Sequence, residues 1–455
     1  MYKRLIINNL NKWRLADNRK PLVLRGARQV GKTTAVNLFS QNYAQFIALN
    51  LEKPDDAGLF SKFPTVDQFI EAAFFLHKKD LTQKGQTLLF IDEIQQVPQA
   101  ISMLRYFRES HPQLHVIAAG SLLETALREE VNIPVGRVEY RVVRPVNFEE
   151  FLLALGENEA HAALTQVPMK PFAHATLLRL FHLYTLIGGM PEVVQSYAIH
   201  RDLSRLSTLY ESLLISYLDD VEKYARNTSM VQVLRHCIRT AFREAGSRVT
   251  FQGFGQSNYR SREVGEAIRT LQKVMLISLT YPSISARLPL MPDHKKKPKL
   301  HALDTGLVNY FAGLQTELIG TPRLTDIYQG NVAEHIVAQE MLAQKFTLLN
   351  ELSFWARDKK SASAEVDFTY IHNGHVIPVE VKSGSIGKLR SLHQFMDQAP
   401  HRWAVRLYAG EVNVHAATTP AAKQYRLINL PYYLAGHLGS YLEWVEAEDI
   451  RDFSG

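Results

Sequence analysis

Leu22-Val-Leu-Arg-Gly-Ala-Arg-Gln-Val-Gly-Lys-Thr-Thr34 is the most informative stretch of this 455-residue chain. Three apolar residues suit a buried strand. Gly26 to Thr33 then follows the spacing G-x-x-x-x-G-K-[ST], and an amphipathic segment runs on to Phe39. A strand, a glycine-bounded turn and a helix in that order make a phosphate cradle. The glycines let the backbone bend its N–H groups toward an anion, and the helix N-terminus adds positive potential. Gly26, Ala27, Arg28, Gln29, Val30, Gly31, Lys32, Thr33 and Thr34 are therefore the candidate nucleotide-contacting residues. Lys32 is expected to reach the β- and γ-phosphates, and the Thr33 hydroxyl to ligate Mg²⁺.

Working outward, Phe46–Leu49, Leu88–Ile91 and Val116–Ala119 are near-continuous apolar runs. Amphipathic stretches at Thr33–Phe39, Val66–Lys79 and Ala100–Ser110 separate them. Strands apolar on both faces and alternating with helices predict an α/β domain with a parallel sheet. Asp92 and Glu93 end the third run, where ligands sit in such sheets. Asp92 is expected to hold Mg²⁺ through water, and Glu93 to orient or deprotonate the attacking water. Ser121 follows the next run; it reads either as a sensor of the γ-phosphate or as a helix N-cap. Arg137 is a candidate arginine finger toward a neighbouring subunit of a homo-oligomer, with Arg141 and Arg144 as rivals.

Beyond Val146 the period becomes helical. The pattern divides the chain into a P-loop core (1–146), a helical lid (147–224), a basic middle (225–322) and a C-terminal mixed α/β unit (323–455). In the middle, helical patterns from Met230 to about Glu244 and over Ser261–Val274 precede two β-like runs, Met275–Tyr281 and Lys299–Leu303. That is the outline of a winged helix, with Lys295-Lys-Lys-Pro-Lys299 as its wing.

Charge sharpens this reading. The net charge is +7, yet residues 223–300 hold fifteen Lys/Arg against four Asp/Glu. A basic block in an otherwise mildly acidic chain points to a polyanion, most simply DNA. Arg260, Arg262, Arg269 and Lys273 fall on or near one predicted helix. A lone cysteine, Cys237, excludes an internal disulfide and any cysteine-based metal site. No apolar run approaches the roughly 20 residues of a membrane-spanning helix, so a soluble, cytoplasmic chain without a membrane partner is expected.

The C-terminal unit carries a second chemistry. Glu365-Val-Asp367 and Ile377-Pro-Val-Glu380-Val-Lys382 flank His372-Asn-Gly374, a strong hairpin signal. In strands, residues i and i+2 share a face, so Glu365 with Asp367 and Glu380 with Lys382 project in pairs. Two carboxylates beside a lysine suit metal-dependent phosphodiester cleavage, with Asp367 and Glu380 on Mg²⁺ and Lys382 acting on water or developing charge. The arrangement resembles the PD-(D/E)xK nucleases, which often add a glutamate from an upstream helix; Glu334 stands there.

Together, the P-loop, Ile91-Asp-Glu-Ile94, Ala119-Gly-Ser-Leu-Leu123, Pro145-Val-Asn-Phe-Glu-Glu-Phe151, Gly188-Gly-Met-Pro-Glu192, Leu218-Asp-Asp-Val221 and Lys299-Leu-His-Ala-Leu-Asp-Thr-Gly-Leu307 resemble a bacterial and archaeal group of AAA-type ATPases. The resemblance implies an ATPase core, a helical lid, a winged-helix-like middle and a restriction-endonuclease-like end of uncharacterised function. One departure is that Leu303 stands where an aromatic more often precedes the aspartate. Two functions follow: an ATP-driven enzyme on DNA controlling a nuclease, or a nucleotide-dependent switch or scaffold whose nuclease fold only binds.

Overall fold

The structure is a computed structural model that describes residues 2–121, 136–313, 331–349, 351–357, 364–382 and 389–453. Five parallel strands form the first sheet: β1 (Leu22–Arg25), β2 (Gln45–Asn50), β3 (Thr87–Asp92), β4 (His115–Ala119) and β5 (Glu139–Val142), in the order β2-β3-β4-β1-β5. β1, β3 and β4 are buried throughout, whereas β2 at one edge is partly exposed. Alternate residues of the buried strands enter separate cores. Leu22, Leu88 and Ile117 belong to one; Val23, Leu89 and Val116 belong to the other, under the helices Pro54–Lys62, Val66–Leu76 and Pro98–Ser110. β5 escapes the sequence reading because Glu-Tyr-Arg-Val lacks an apolar run; at the sheet's other edge only Val142 is buried.

The first of those cores does not stop at the sheet. It continues through the helices Phe148–Leu155, His174–Ile187 and Leu206–Tyr224 into the middle and C-terminal parts. In the middle, the helices Thr228–Arg243 and Ser261–Lys273 precede an antiparallel pair, β6 (Ile277–Ser283) and β7 (Lys299–Ala302). This hairpin is not a free wing. β6 also pairs in parallel with β8 (Ser353–Ala356), Tyr281 opposite Ser353. The pair thereby joins an eight-stranded mixed sheet with β9 (Glu365–His372), β10 (His375–Val381), β11 (Trp403–Tyr408), β12 (Asn413–Thr418) and β13 (Gln424–Pro431). The boundary expected between 322 and 323 lies outside the described residues, but one sheet runs across it. β9 and β10 form the hairpin signalled by Asn373-Gly374, both at left-handed φ (45° and 77°). No helix among the described residues is long and apolar enough to cross a membrane.

Candidate nucleotide site and a lysine-centred carboxylate cluster

The loop after β1 turns through left-handed φ at Gln29 (63°) and Gly31 (88°), then enters the helix Lys32–Phe39 with no side chain capping its N-terminus. Its first N–H groups are therefore left for an external acceptor. The Lys32 ammonium is buried and folds back onto the carbonyls of Gly26 (3.0 Å) and Ala27 (2.9 Å). Burial lowers its pKa to about 8, with Glu93 and Asp92 partly offsetting the effect. The Thr33 hydroxyl donates to Asp92 Oδ2 at 2.6 Å. Burial raises the Asp92 pKa, and that hydrogen bond pulls it back. Glu93 sits at φ 53°, ψ 43°, an uncommon conformation for a side-chain-bearing residue and one that gathers at functional sites. A 400 Å³ cleft is lined by Arg28, Lys32, Thr33 and Glu93 on one side and by Pro191, Glu192 and Gln195 of the lid on the other. Uncapped N–H groups, a buried ammonium and a hydroxyl–carboxylate pair fit a Mg²⁺–nucleotide.

Two tethers fix this loop, and sequence reasoning missed both. Arg4 is buried; it donates to Val30 O (3.1 Å), Arg144 O (2.7 Å) and Glu150 Oε2 (3.0 Å). Arg28 binds both carboxylate oxygens of Asp220 (2.6 and 2.5 Å), and Tyr217 OH donates to Arg28 O (3.2 Å). Asp220 lies within Leu-Asp-Asp-Val, one of the stretches that carry the family resemblance, so a signal existed; nothing local marks Arg4. The lid is joined in turn to the C-terminal part. Gly189 N donates to the buried Asp304, and the helix Asn331–Ala343 presents Gln339 to Thr305 N (2.9 Å) and Glu340 to Phe148 N (3.1 Å). Burial raises the Glu340 pKa to about 8.

The other predicted nucleotide-site residues lie apart. Arg137 does not line the cleft; it is half-exposed and donates to Glu109 (3.0 Å). Arg141 bonds Asn9 (2.7 Å) and Glu139 (3.2 Å). Ser121 is half-buried after β4, and the helix it was expected to cap lies outside the described residues.

At the C-terminal sheet, Glu334 and Asp367 do converge, together with Glu365, but they converge on a lysine, Lys299, while Glu380 pairs with Lys382. Lys299 was expected on an exposed wing. Instead it is 4% exposed. Strand alternation turns Lys299 and His301 of β7 toward the helix Asn331–Ala343. Lys299 Nζ lies 2.6 Å from Glu334, 2.9 Å from Glu365 and 3.5 Å from Asp367. Arg248 adds a second cation at 2.5 Å from Glu365. Asp367 Oδ2 accepts from Val381 N (2.8 Å), and Lys382 is paired with Glu380, whose Oε2 is buried without a partner among the described residues. Burial and the Asp367 charge raise both Glu334 and Glu380 to about 7, against the pull of Lys299 and Lys382 respectively. Burial alone would lower the Lys299 pKa; Glu334, Asp367 and Glu365 together lift it above the ordinary lysine range. Among the described residues no group of His, Cys, Asp and Glu is arranged to hold a metal ion. Four carboxylates, Glu334, Glu365, Asp367 and Glu380, here face three cations, Lys299, Arg248 and Lys382, and a divalent ion between Glu334 and Asp367 would have to displace Lys299. Lys299 was legible as an anomaly, a lysine leading into Leu-His-Ala-Leu, but its partners are 35 to 68 positions away.

The basic surface keeps its other members. Arg260, Arg262, Arg269, Lys273, Lys295 and Lys297 are exposed; Lys296 is half-buried, 3.9 Å from Asp293.

Comparison with known proteins agrees with the first site. Residues 18–152 match a family model described as an AAA domain. The fold and this match make the N-terminal part similar to P-loop domains of the AAA type. Residues 178–318 and 329–433 match two domains of unknown function, DUF8612 and DUF4143. Among solved structures, the Pif1 helicase from Candida albicans is similar at 13% identity, over 38% of this chain and 45% of the helicase chain, with a TM-score of 0.19. The chain thus spans under half of that helicase, and so low a TM-score carries no structural argument. No curated protein matches the chain.

Proposed function

We propose that this chain binds and hydrolyses ATP and uses the cycle to act on nucleic acid, most simply DNA. Its nuclease-like end serves as a binding module. The Thr33–Asp92 pair beside Lys32 and Glu93 carries the first part. In this reading the loop from Gly26 to Thr34 holds the phosphates, Lys32 supplies the counter-charge, Thr33 and Asp92 hold Mg²⁺, and Glu93 orients water. Mg²⁺ would neutralise charge developing on the phosphate oxygens. The Arg28–Asp220 tether lets the lid follow the occupancy of the cradle. Arg137, half-exposed and outside the cleft, suits a finger acting on a neighbouring copy; Ser121 remains the candidate sensor. The exposed arginines of Ser261–Lys273 and Lys295 with Lys297 are the proposed grip on phosphates.

Lys299 supports a binding role for the C-terminal module. Cleavage is the second reading, supported by Asp367, Glu380 and Lys382 meeting on neighbouring strands. One experiment separates them. ATP hydrolysis and DNA cleavage are measured with Mg²⁺ in wild type, Lys32→Ala, Glu93→Gln and Asp367→Ala. Wild type is expected to hydrolyse ATP, faster with DNA, and to leave the DNA intact. Lys32→Ala should lose ATP binding; Glu93→Gln should bind but turn over about a hundredfold more slowly. No ATP affinity in wild type refutes the first part. Cleavage by wild type that disappears in Asp367→Ala refutes the binding-module assignment.

A further inference from the structure

A cavity of 430 Å³ opens where the three parts of the chain meet. The P-loop domain contributes Arg144, the β6–β7 hairpin contributes Leu279, Tyr281 and His301 with Met275 just before it, and the helix Asn331–Ala343 contributes Gln339. Its lining mixes aliphatic side chains such as Met275 and Leu279 with polar ones, and Arg144 is among the lining residues. Among the described residues the Arg144 side chain has no hydrogen bond or ion pair, and its Nε is sealed from solvent with no acceptor. Burial alone lowers its pKa, to about 10, with no carboxylate opposing the shift. Two buried cations, by contrast, are matched by carboxylates: Arg4 by Glu150, and Lys299 by three of them. His301 is fully buried, and neither ring nitrogen has a partner among the described residues. The other titratable groups on the wall are Tyr281, His294 and Glu351; Glu351 is exposed at the mouth.

Arg144 is half-buried, and its sealed Nε has lost water with no acceptor among the described residues in exchange, which is costly. A fork of N–H donors beside apolar side chains is also how proteins take phosphate or carboxylate. We propose that this junction is a binding site for a small anion-headed ligand, its phosphate or carboxylate held by Arg144 and its apolar or planar body lying against Met275, Leu279 and Tyr281. The site is separate from the P-loop cleft and does not depend on the nucleotide reading. It is nevertheless one residue's reach from the loop, since Arg4 bonds both Arg144 O and Val30 O.

The test uses the full chain in a Lys32→Ala background, so that the P-loop cannot answer. The probes are inorganic phosphate, adenosine monophosphate and octanoate: a bare head, a phosphate with a planar body and a carboxylate with an aliphatic one. Binding is read by calorimetry and by the shift in Tm. A bodied probe should raise Tm and bind at least tenfold more tightly than phosphate alone, and which one does so distinguishes the two head groups. Arg144→Met should weaken that binding at least tenfold while leaving the ligand-free Tm equal or higher, because a half-buried charge with no partner among the described residues has been removed. Leu279→Trp, which fills the cavity and keeps the arginine, should also abolish binding. The proposal is overturned if no probe shifts Tm at millimolar concentration, if binding survives Arg144→Met, or if Arg144→Met lowers the ligand-free Tm, the mark of a structural arginine.

Discussion

Replacing Lys299 by Met tests whether the carboxylate cluster is built around an ammonium. The substitution keeps the length of the stem and removes the charge. It leaves Glu334, Glu365 and Asp367, which stood 2.6, 2.9 and 3.5 Å from Nζ, with Arg248 on Glu365 as the remaining cation. Removing one partner of a buried ion pair costs about 3–5 kcal/mol, which for a chain of this size corresponds to a fall in Tm on the order of 3–5 °C. The loss depends on pH with a definite sign. Glu334 and Glu380 have folded pKa values of about 7, above the ordinary 4.5. Groups raised in this way contribute most below the unfolded value and lose that contribution as pH rises through about 7. The defect in Lys299→Met should therefore be largest near pH 8 and shrink toward pH 5, where the carboxylates take up protons. A divalent cation can replace the missing charge, so Mn²⁺ at about millimolar concentration should restore much of the Tm of the variant and leave nucleotide-free wild type unmoved. The assay is thermal unfolding by circular dichroism across pH, with and without Mn²⁺. A variant as stable as wild type at pH 8, or an equal Mn²⁺ response in wild type, would refute the assignment.

The P-loop site makes a different pH prediction. Lys32 titrates near 8 in the free protein and must be charged to hold phosphate, so ATP affinity by calorimetry should be flat below pH 8 and fall up to tenfold per unit above it. Lys32→Arg should remove that dependence if Lys32 is its source. On the basic face, alanine at Arg262, Arg269 and Lys273 should flatten the salt dependence of DNA binding by about 0.9 in log–log slope for each phosphate that is no longer neutralised. Fluorescence anisotropy measures this directly, and an unchanged slope would make the charge a solvated surface.

Local order in the chain was sufficient for the P-loop, for Asp92 and Glu93 at the end of β3, and for the Asn373-Gly374 hairpin. Each is a short-range feature: a turn demands particular φ, a buried strand demands an apolar run, and strand alternation pairs i with i+2. The order β2-β3-β4-β1-β5 could not be read off, because apolar strands carry no label of their neighbours, and β5 was invisible because an edge strand needs no apolar run. Tertiary structure alone decided the fate of the charges. Lys295 and Lys297 remain on the surface, while Lys299, two residues further on, is drawn into the sheet because β7 pairs with β6 and turns alternate side chains toward Glu334, Glu365 and Asp367. Arg144 sits in an equally ordinary stretch, and only the meeting of three distant segments leaves it half-buried, its Nε lacking an acceptor among the described residues. Whether a charge is solvated, paired or left waiting for a ligand depends on what the rest of the chain packs against it, and that is a property of contacts far apart in sequence.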